Sequence, residues 1–85
     1  MTAARVVVYT KYYCAFCSRA KALLRARNVE FREVDITDDL KLQDEVKRRS
    51  GRMTVPQIFI DERPIGGYEE LRGLDESGEL DRLLA

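Results

Sequence analysis

The chain has 85 residues, 45% hydrophobic and 35% charged, with 15 basic and 15 acidic side chains and no histidine. That length supports one modest core, so residues 1–85 are expected to form a single domain with nothing left for an accessory module. Balanced charge removes the electrostatic reason to expect nucleic acid or an anionic membrane as partner.

Arg5 to Tyr9 is apolar and β-branched, too continuous for a half-exposed strand, and reads as a buried central strand. Its apolar core falls far short of the roughly 18 residues of a membrane span or the ~7 to 15 of a signal-peptide core, so a cytoplasmic protein is expected. The strand points at Cys14 and Cys17. From Cys17 onward, Cys17, Ala20, Leu23 and Leu24 share one helical face, and Asn28 suits the helix end because it tolerates left-handed geometry. Val29, Phe31 and Val34 suggest a second strand, and strand-helix-strand in so short a span implies a parallel crossover. Residues 38–50 read as a helix, with acids at its start and Lys47, Arg48 and Arg49 before Ser50-Gly51. Val55 to Ile60 is a strand, Asp61-Glu62-Arg63 a tight turn, and Pro64-Ile65 the start of a short edge strand. Gly66-Gly67 breaks the pattern before a closing helical segment that carries Leu80, Leu83 and Leu84. The expected order is βαβαββα, an α/β fold with a four-stranded mixed sheet flanked by helices.

Cys14 falls at the end of the first strand and Cys17 one turn into the helix. A thiolate is favoured at the positive helix end, and C-x-x-C cysteines can ionise at a pKa of roughly 3.5 to 7.5 against about 8.5 for a free thiol. The helix dipole, about 0.3 to 1 kcal/mol at exposed sites, is worth less than one pKa unit of about 1.4 kcal/mol, so free first-turn N–H groups and Lys11 are the nearest further help. Cys17, on the inward face, would be the resolving thiol. Residues 1–34 carry seven Lys or Arg against Glu30 and Glu33, so the pair lies in the positive third of the chain. Three readings stay open on local pattern: a redox pair, half of a metal site, or inert packing. Two Cys and no His cannot complete a structural zinc site within one chain, and a disulfide closing so short a loop constrains little of the unfolded ensemble.

Other features have plain local readings. About 95% of X-Pro bonds in folded proteins are trans, so trans is the local expectation at Thr54-Val55-Pro56. Gly66-Gly67 is either a flexible turn or a nest of N–H groups for a carboxylate. Glu69 and Glu70 are ordinary first-turn acids. Tyr12, Tyr13 and Phe16 beside the sulfurs are either a binding lip or packed rings.

Taken together, Lys11, Cys14-Ala15-Phe16-Cys17, Ser50-Gly51-Arg52, Thr54-Val55-Pro56-Gln57-Ile58-Phe59 and Gly66-Gly67-Tyr68-Glu69 resemble the glutaredoxin family, dithiol class, in its small bacterial glutaredoxin-3 type. The likeness spans essentially the whole chain. It implies a thioredoxin-like fold with a cis Pro56 lying against the active-site loop. It also implies a glutathione-dependent thiol-disulfide oxidoreductase with Cys14 as nucleophile and Cys17 as resolving thiol. By the same resemblance the glutathione site comprises Lys11, Tyr13, Phe16, Thr54, Val55, Pro56, Gly67, Tyr68 and Glu69. Lys11 would meet the glycine carboxylate, the Val55 backbone the cysteinyl part, and Tyr68 and Glu69 the γ-glutamyl end. Implied partners are glutathione and glutathionylated or disulfide-bonded proteins, with family potentials of about −200 to −230 mV and a monomeric protein.

Four positions depart from the family pattern. Ala15 and Phe16 replace the usual Pro-Tyr between the cysteines, and Tyr68 and Glu69 stand where a small residue and Asp are common. Family members lacking that proline more readily bridge a [2Fe-2S] cluster between two chains, using Cys14 of each and two glutathiones. A cluster-bridged homodimer acting as carrier or sensor is therefore the alternative to the enzyme; no metal is expected in the apo monomer. A redoxin reduced by thioredoxin reductase is disfavoured by the Gly-Gly-x-acid pattern.

Overall fold

The computed structural model describes residues 4–85, so residues 1–3 of the expected domain lie outside the described residues. The chain runs β1 (Val6–Thr10), α1 (Ala15–Ala26), β2 (Arg32–Asp35), α2 (Leu40–Ser50), β3 (Gln57–Ile60), β4 (Arg63–Gly66), α3 (Tyr68–Ser77) and α4 (Glu79–Leu84). The sheet order is β2-β1-β3-β4, with β1 parallel to β2 and antiparallel to β3, and β4 antiparallel to β3. The expected mixed four-stranded sheet is present, and the thioredoxin-like fold with it. One element differs: the closing helical segment is two helices, because Gly78 takes a left-handed φ of 82° and serves as end of α3 and start of α4.

Strand periodicity divides the core between the two sheet faces. Val6, Val8, Ile58 and Ile60 pack with Ala20 and Leu24 of α1, Leu71 of α3 and Leu80 of α4. Tyr9 and Phe59 point the other way, against Ile36 and Val46, with their rings edge to face at 5.5 Å. Helices α1, α3 and α4 thus cover one face and α2 the other. β2 is an edge strand with largely exposed side chains, which explains why it begins only at Arg32 while Val29 is drawn into the core ahead of it.

Local chemistry sets the boundaries. α1 ends at Ala26 and Asn28 takes the left-handed φ of 59° that its side chain tolerates. Asp39 caps α2, its Oδ1 accepting the Leu42 N–H at 2.9 Å. Asp61 and Glu62 carry φ of 49° and 67°, the geometry of a two-residue hairpin turn, and Asp61 Oδ1 also accepts the Arg5 N–H at 2.9 Å.

Candidate active site

β1 ends in Thr10, which is buried, and hands the chain to Lys11-Tyr12-Tyr13 at the sheet edge. One contact and one backbone angle fix this loop. The Tyr12 N–H donates to Thr37 Oγ1 at 2.7 Å, and Tyr13 takes a left-handed φ of 56°, turning the backbone so that α1 starts at once. Cys14 is the N-cap of α1: its Sγ accepts the Cys17 N–H at 3.1 Å. Sulfur here fills the place that a Ser or Asp oxygen takes at ordinary helix starts.

Facing it is the turn before β3. The Val55-Pro56 peptide is cis, which overturns the local expectation of trans and agrees with the resemblance. The Cys14 thiol lies 3.6 Å from the Val55 carbonyl oxygen and donates to it. Gln57, fully buried, braces the turn from below by donating to the Thr54 carbonyl at 2.8 Å.

The two thiols are free and unlike in their surroundings. Cys14 is half-buried at the rim, whereas Cys17 is 2% exposed on the core face of α1. Burial first, and then the hydrogen bond with the Cys14 thiol, pushes the Cys17 thiol up to about 12, with the Lys11 backbone and the Lys21 charge opposing only in part. Cys17 is therefore a neutral thiol throughout the physiological range. Alkylation of the native reduced protein with iodoacetamide between pH 7 and 9 is expected to modify Cys14 and leave Cys17 unmodified, as read by peptide mass mapping; denaturation should expose both.

Lys11, Tyr12, Tyr13, Cys14, Cys17 and Ser18 line one surface depression, closed on its far side by Lys21, Glu33 and Asp35. Glu33 Oε2 accepts from Thr10 Oγ1 at 2.9 Å and from Lys21 Nζ at 3.0 Å. Burial alone would raise the Glu33 carboxyl, but those two hydrogen bonds outweigh it and hold the group below its ordinary value. Lys11 also borders a second depression with Arg52, Met53 and Thr54. Tyr13 and Phe16 are exposed at 90% and 50%, so neither ring is packed into the core. Arg19 lies over the Phe16 ring at 5.2 Å, and Phe16 faces Tyr68 at 6.1 Å. The ring of Tyr68, at the start of α3, thus approaches the cysteine loop from the opposite wall.

Gly67 is the N-cap of α3, and Tyr68 and Glu69 are its first two residues. Their N–H groups open the helix, as first-turn donors do. Glu69 itself points outward and pairs with Arg72 at 3.3 Å. Two contacts of Glu70 are not read from the sequence: its Oε1 accepts the Gly67 N–H at 2.7 Å and pairs with Arg52 Nη1 at 2.8 Å. The Gly67 N–H, and then the Arg52 guanidinium, hold the Glu70 carboxyl below its ordinary value. The signal for the first is present, since an acidic residue three positions after an N-cap is the capping-box spacing.

A half-buried thiol at a helix start with a buried partner thiol one turn on, opposite a cis proline and on this sheet order, is the arrangement of a thiol-disulfide oxidoreductase of thioredoxin-like fold. The glutaredoxin family profile matches residues 6–65. The chain is 51% identical over 81 residues to glutaredoxin 3 of Escherichia coli K12, covering 95% of this chain and 98% of that protein. Among solved structures it is similar to glutaredoxin from Brucella melitensis, with 45% identity, a TM-score of 0.84 and coverage of 94% of this chain and 87% of that one. It is also similar to a buckwheat glutaredoxin–glutathione complex, with 27% identity, a TM-score of 0.87 and coverage of 98% and 78%. The chain belongs to the glutaredoxin family.

Proposed function

We propose that the protein uses glutathione to reduce glutathione mixed disulfides and protein disulfides, working as a monomer in the cytoplasm. The observation that carries this reading is the placement of Cys14 Sγ, 3.1 Å from the Cys17 nitrogen and 3.6 Å from the Val55 carbonyl oxygen, between two walls rich in backbone polar groups. A disulfide entering there meets the thiolate with its flanking peptide alongside Val55. Lys11 is suited to the glycine carboxylate, Tyr13 and Phe16 to flanking apolar contact, and Thr54, Val55 and Pro56 to the cysteinyl backbone. Gly67, Tyr68 and Glu69 form the γ-glutamyl end, with the Tyr68 and Glu69 N–H groups toward the α-carboxylate. Similarity to the glutathione-bound buckwheat protein supports this assignment.

In the first step the Cys14 thiolate attacks the glutathione sulfur of a mixed disulfide. The Cys14–glutathione bond forms, the substrate sulfur leaves with the bonding pair, and solvent protonates it. A second glutathione thiolate then attacks the bound glutathione sulfur, giving oxidised glutathione and restoring Cys14. With a protein disulfide, the Cys14 thiolate bonds to one substrate sulfur while the other leaves with the bonding pair and is released as the first substrate thiol. Cys17, after losing its proton, attacks the Cys14 sulfur, forming Cys14–Cys17 and expelling the second substrate thiol; two glutathiones reduce the pair. The test is turnover of a glutathionylated peptide with glutathione, glutathione reductase and NADPH. Turnover that depends on glutathione is the expected result, and its failure would sink the reading.

The second reading, a [2Fe-2S] cluster bridging two chains, is favoured by Ala15 in place of proline at the start of α1. The donor set fits it in part: with Cys17 buried, each chain offers Cys14 alone, and the remaining ligands would be glutathione thiols. Such a cluster would supply electron storage or a transferable iron-sulfur unit. Anaerobic reconstitution with iron, sulfide and glutathione distinguishes a coloured dimer from a colourless monomer.

A further inference from the structure

On the α2 side of the sheet, the end away from the cysteines is only partly covered. Tyr9, Ile36, Val46 and Phe59 are sealed there, whereas Val7, Val34 and Leu42 stay half-buried and floor a depression of about 500 Å³. Three arginines stand around it: Arg5 before β1, Arg32 at the start of β2 and Arg49 near the end of α2. Strand register sets Arg32 beside Val7 and Val7 beside Phe59, so basic rim and apolar floor are continuous. The one acidic side chain lining the depression is Glu62, in the hairpin turn.

The positive charge of this rim is not spent inside the molecule. Arg27, Arg48, Arg52, Arg72 and Arg82 each pair with a carboxylate, but among the described residues Arg5, Arg32 and Arg49 pair with none. Two of the three are nonetheless anchored. The Arg49 guanidinium lies 4.4 Å over the Phe59 ring and 3.5 Å from the Tyr9 hydroxyl. The Arg5 N–H donates to Asp61 Oδ1 and its carbonyl accepts the Asp61 N–H, both at 2.9 Å. Unneutralised guanidiniums beside a half-exposed aliphatic floor complement a ligand that carries carboxylates and an aliphatic group together.

We propose that this depression is a docking site for an acidic segment of a partner protein, with an aliphatic side chain between its carboxylates. Guanidinium forks match carboxylates in shape as well as charge. The floor then chooses among anions. Tyr9 and Phe59 are buried and Arg49 covers the Phe59 ring, so no aromatic face is open to stack a nucleobase, whereas Val7, Val34 and Leu42 offer aliphatic contact. Arg5 and Thr10 are five residues apart along the β1 segment, about 16 Å at ~3.3 Å per residue, so the segment docks clear of the reacting sulfurs. The site therefore stands independently of the glutathione reading.

The experiment is fluorescence anisotropy of labelled peptides titrated with the reduced full chain at low ionic strength. The probes are a hexapeptide of glutamates around two leucines, the same peptide with serine for leucine, and the same with lysine for glutamate. The glutamate-leucine peptide should bind at least about 3-fold more tightly than the serine version, and the lysine version should not bind. R5S/R32S should weaken binding roughly 5- to 10-fold, and E62Q should strengthen it about 2-fold. K41S/R82S, which removes two cations elsewhere, should stay within about 2-fold of the unmodified chain. Every substituted side chain is exposed and Arg49 is left in place on Phe59, so the fold should be kept. Saturating peptide should leave reduction of a glutathionylated peptide unchanged. Absent binding, equal affinity for the leucine and serine peptides, an R5S/R32S loss no greater than that of K41S/R82S, or competition with the glutathionylated peptide overturns the docking site. Tighter binding of a single-stranded oligonucleotide, lost in R5S/R32S, would assign the rim to nucleic acid and overturn it equally.

Discussion

Cys14→Ser is expected to abolish reduction of a glutathionylated peptide, lowering turnover by roughly 10³-fold or more, while Cys17→Ser retains that reaction and loses glutathione-supported reduction of an intramolecular protein disulfide. The difference follows from placement. Only Cys14 reaches the surface, at the cap of α1 and beside Val55, whereas Cys17 is buried against the core. Serine at position 14 keeps a capping oxygen, so the fold should survive while the nucleophile is lost. In Cys17→Ser the mixed disulfide on Cys14 has no internal thiol to resolve it and should accumulate as a glutathione adduct visible by intact mass. Measuring both variants on both substrates separates the roles. Equal loss in the two would mean that Cys17 is needed even for the one-thiol reaction.

Leu24→Ala is the second large effect, destabilising the protein by about 2–5 kcal/mol. Leu24 is fully buried and packs from α1 into the cluster of Val6, Val8, Ile58, Ile60, Leu71 and Leu80, on the face where three of the four helices meet the sheet. The surrounding side chains belong to four different elements, which limits how far they can close on the void. Small domains hold only about 5–15 kcal/mol in reserve, so this one substitution removes a large share of it. For a domain of this size each kcal/mol moves the midpoint by about 4–8 °C, so a fall of at least ~8 °C is expected in a thermal melt followed by circular dichroism. A fall below ~4 °C would show that the neighbours collapse into the space.

Much of this architecture was legible because local and tertiary preferences agree. The apolar run at Val6, the acid-to-base polarity of α2, the turn at Asp61-Glu62 and the left-handed Asn28 each appear where their chemistry directs. Where they part, a contact distant in sequence is responsible. A helix continuing to Leu84 reads well as pattern, but Gly78 breaks it into α3 and α4 so that Leu80 can turn into the core. The geometry at Pro56 is not a local property, since cis and trans differ by only about 0.5–1 kcal/mol before tertiary contacts decide; it came from the family resemblance alone. Glu70 shows the same limit at the site. As a first-turn acid it needed no partner, and nothing near it in sequence announces Arg52, 18 residues earlier.

The sulfur that caps α1 gives the helix a stake in the electron count. A free Cys14 sulfur accepts the Cys17 N–H and closes the first turn, but the same sulfur tied into a disulfide is a poorer acceptor. Folding and reduction are thus two sides of one thermodynamic cycle: whatever stability the cap adds to the dithiol form is withheld from the disulfide form. A cap of ordinary strength, about 1 kcal/mol, would raise the reduction potential by about 20 mV. In this protein the start of a helix is also a small weight on the redox balance.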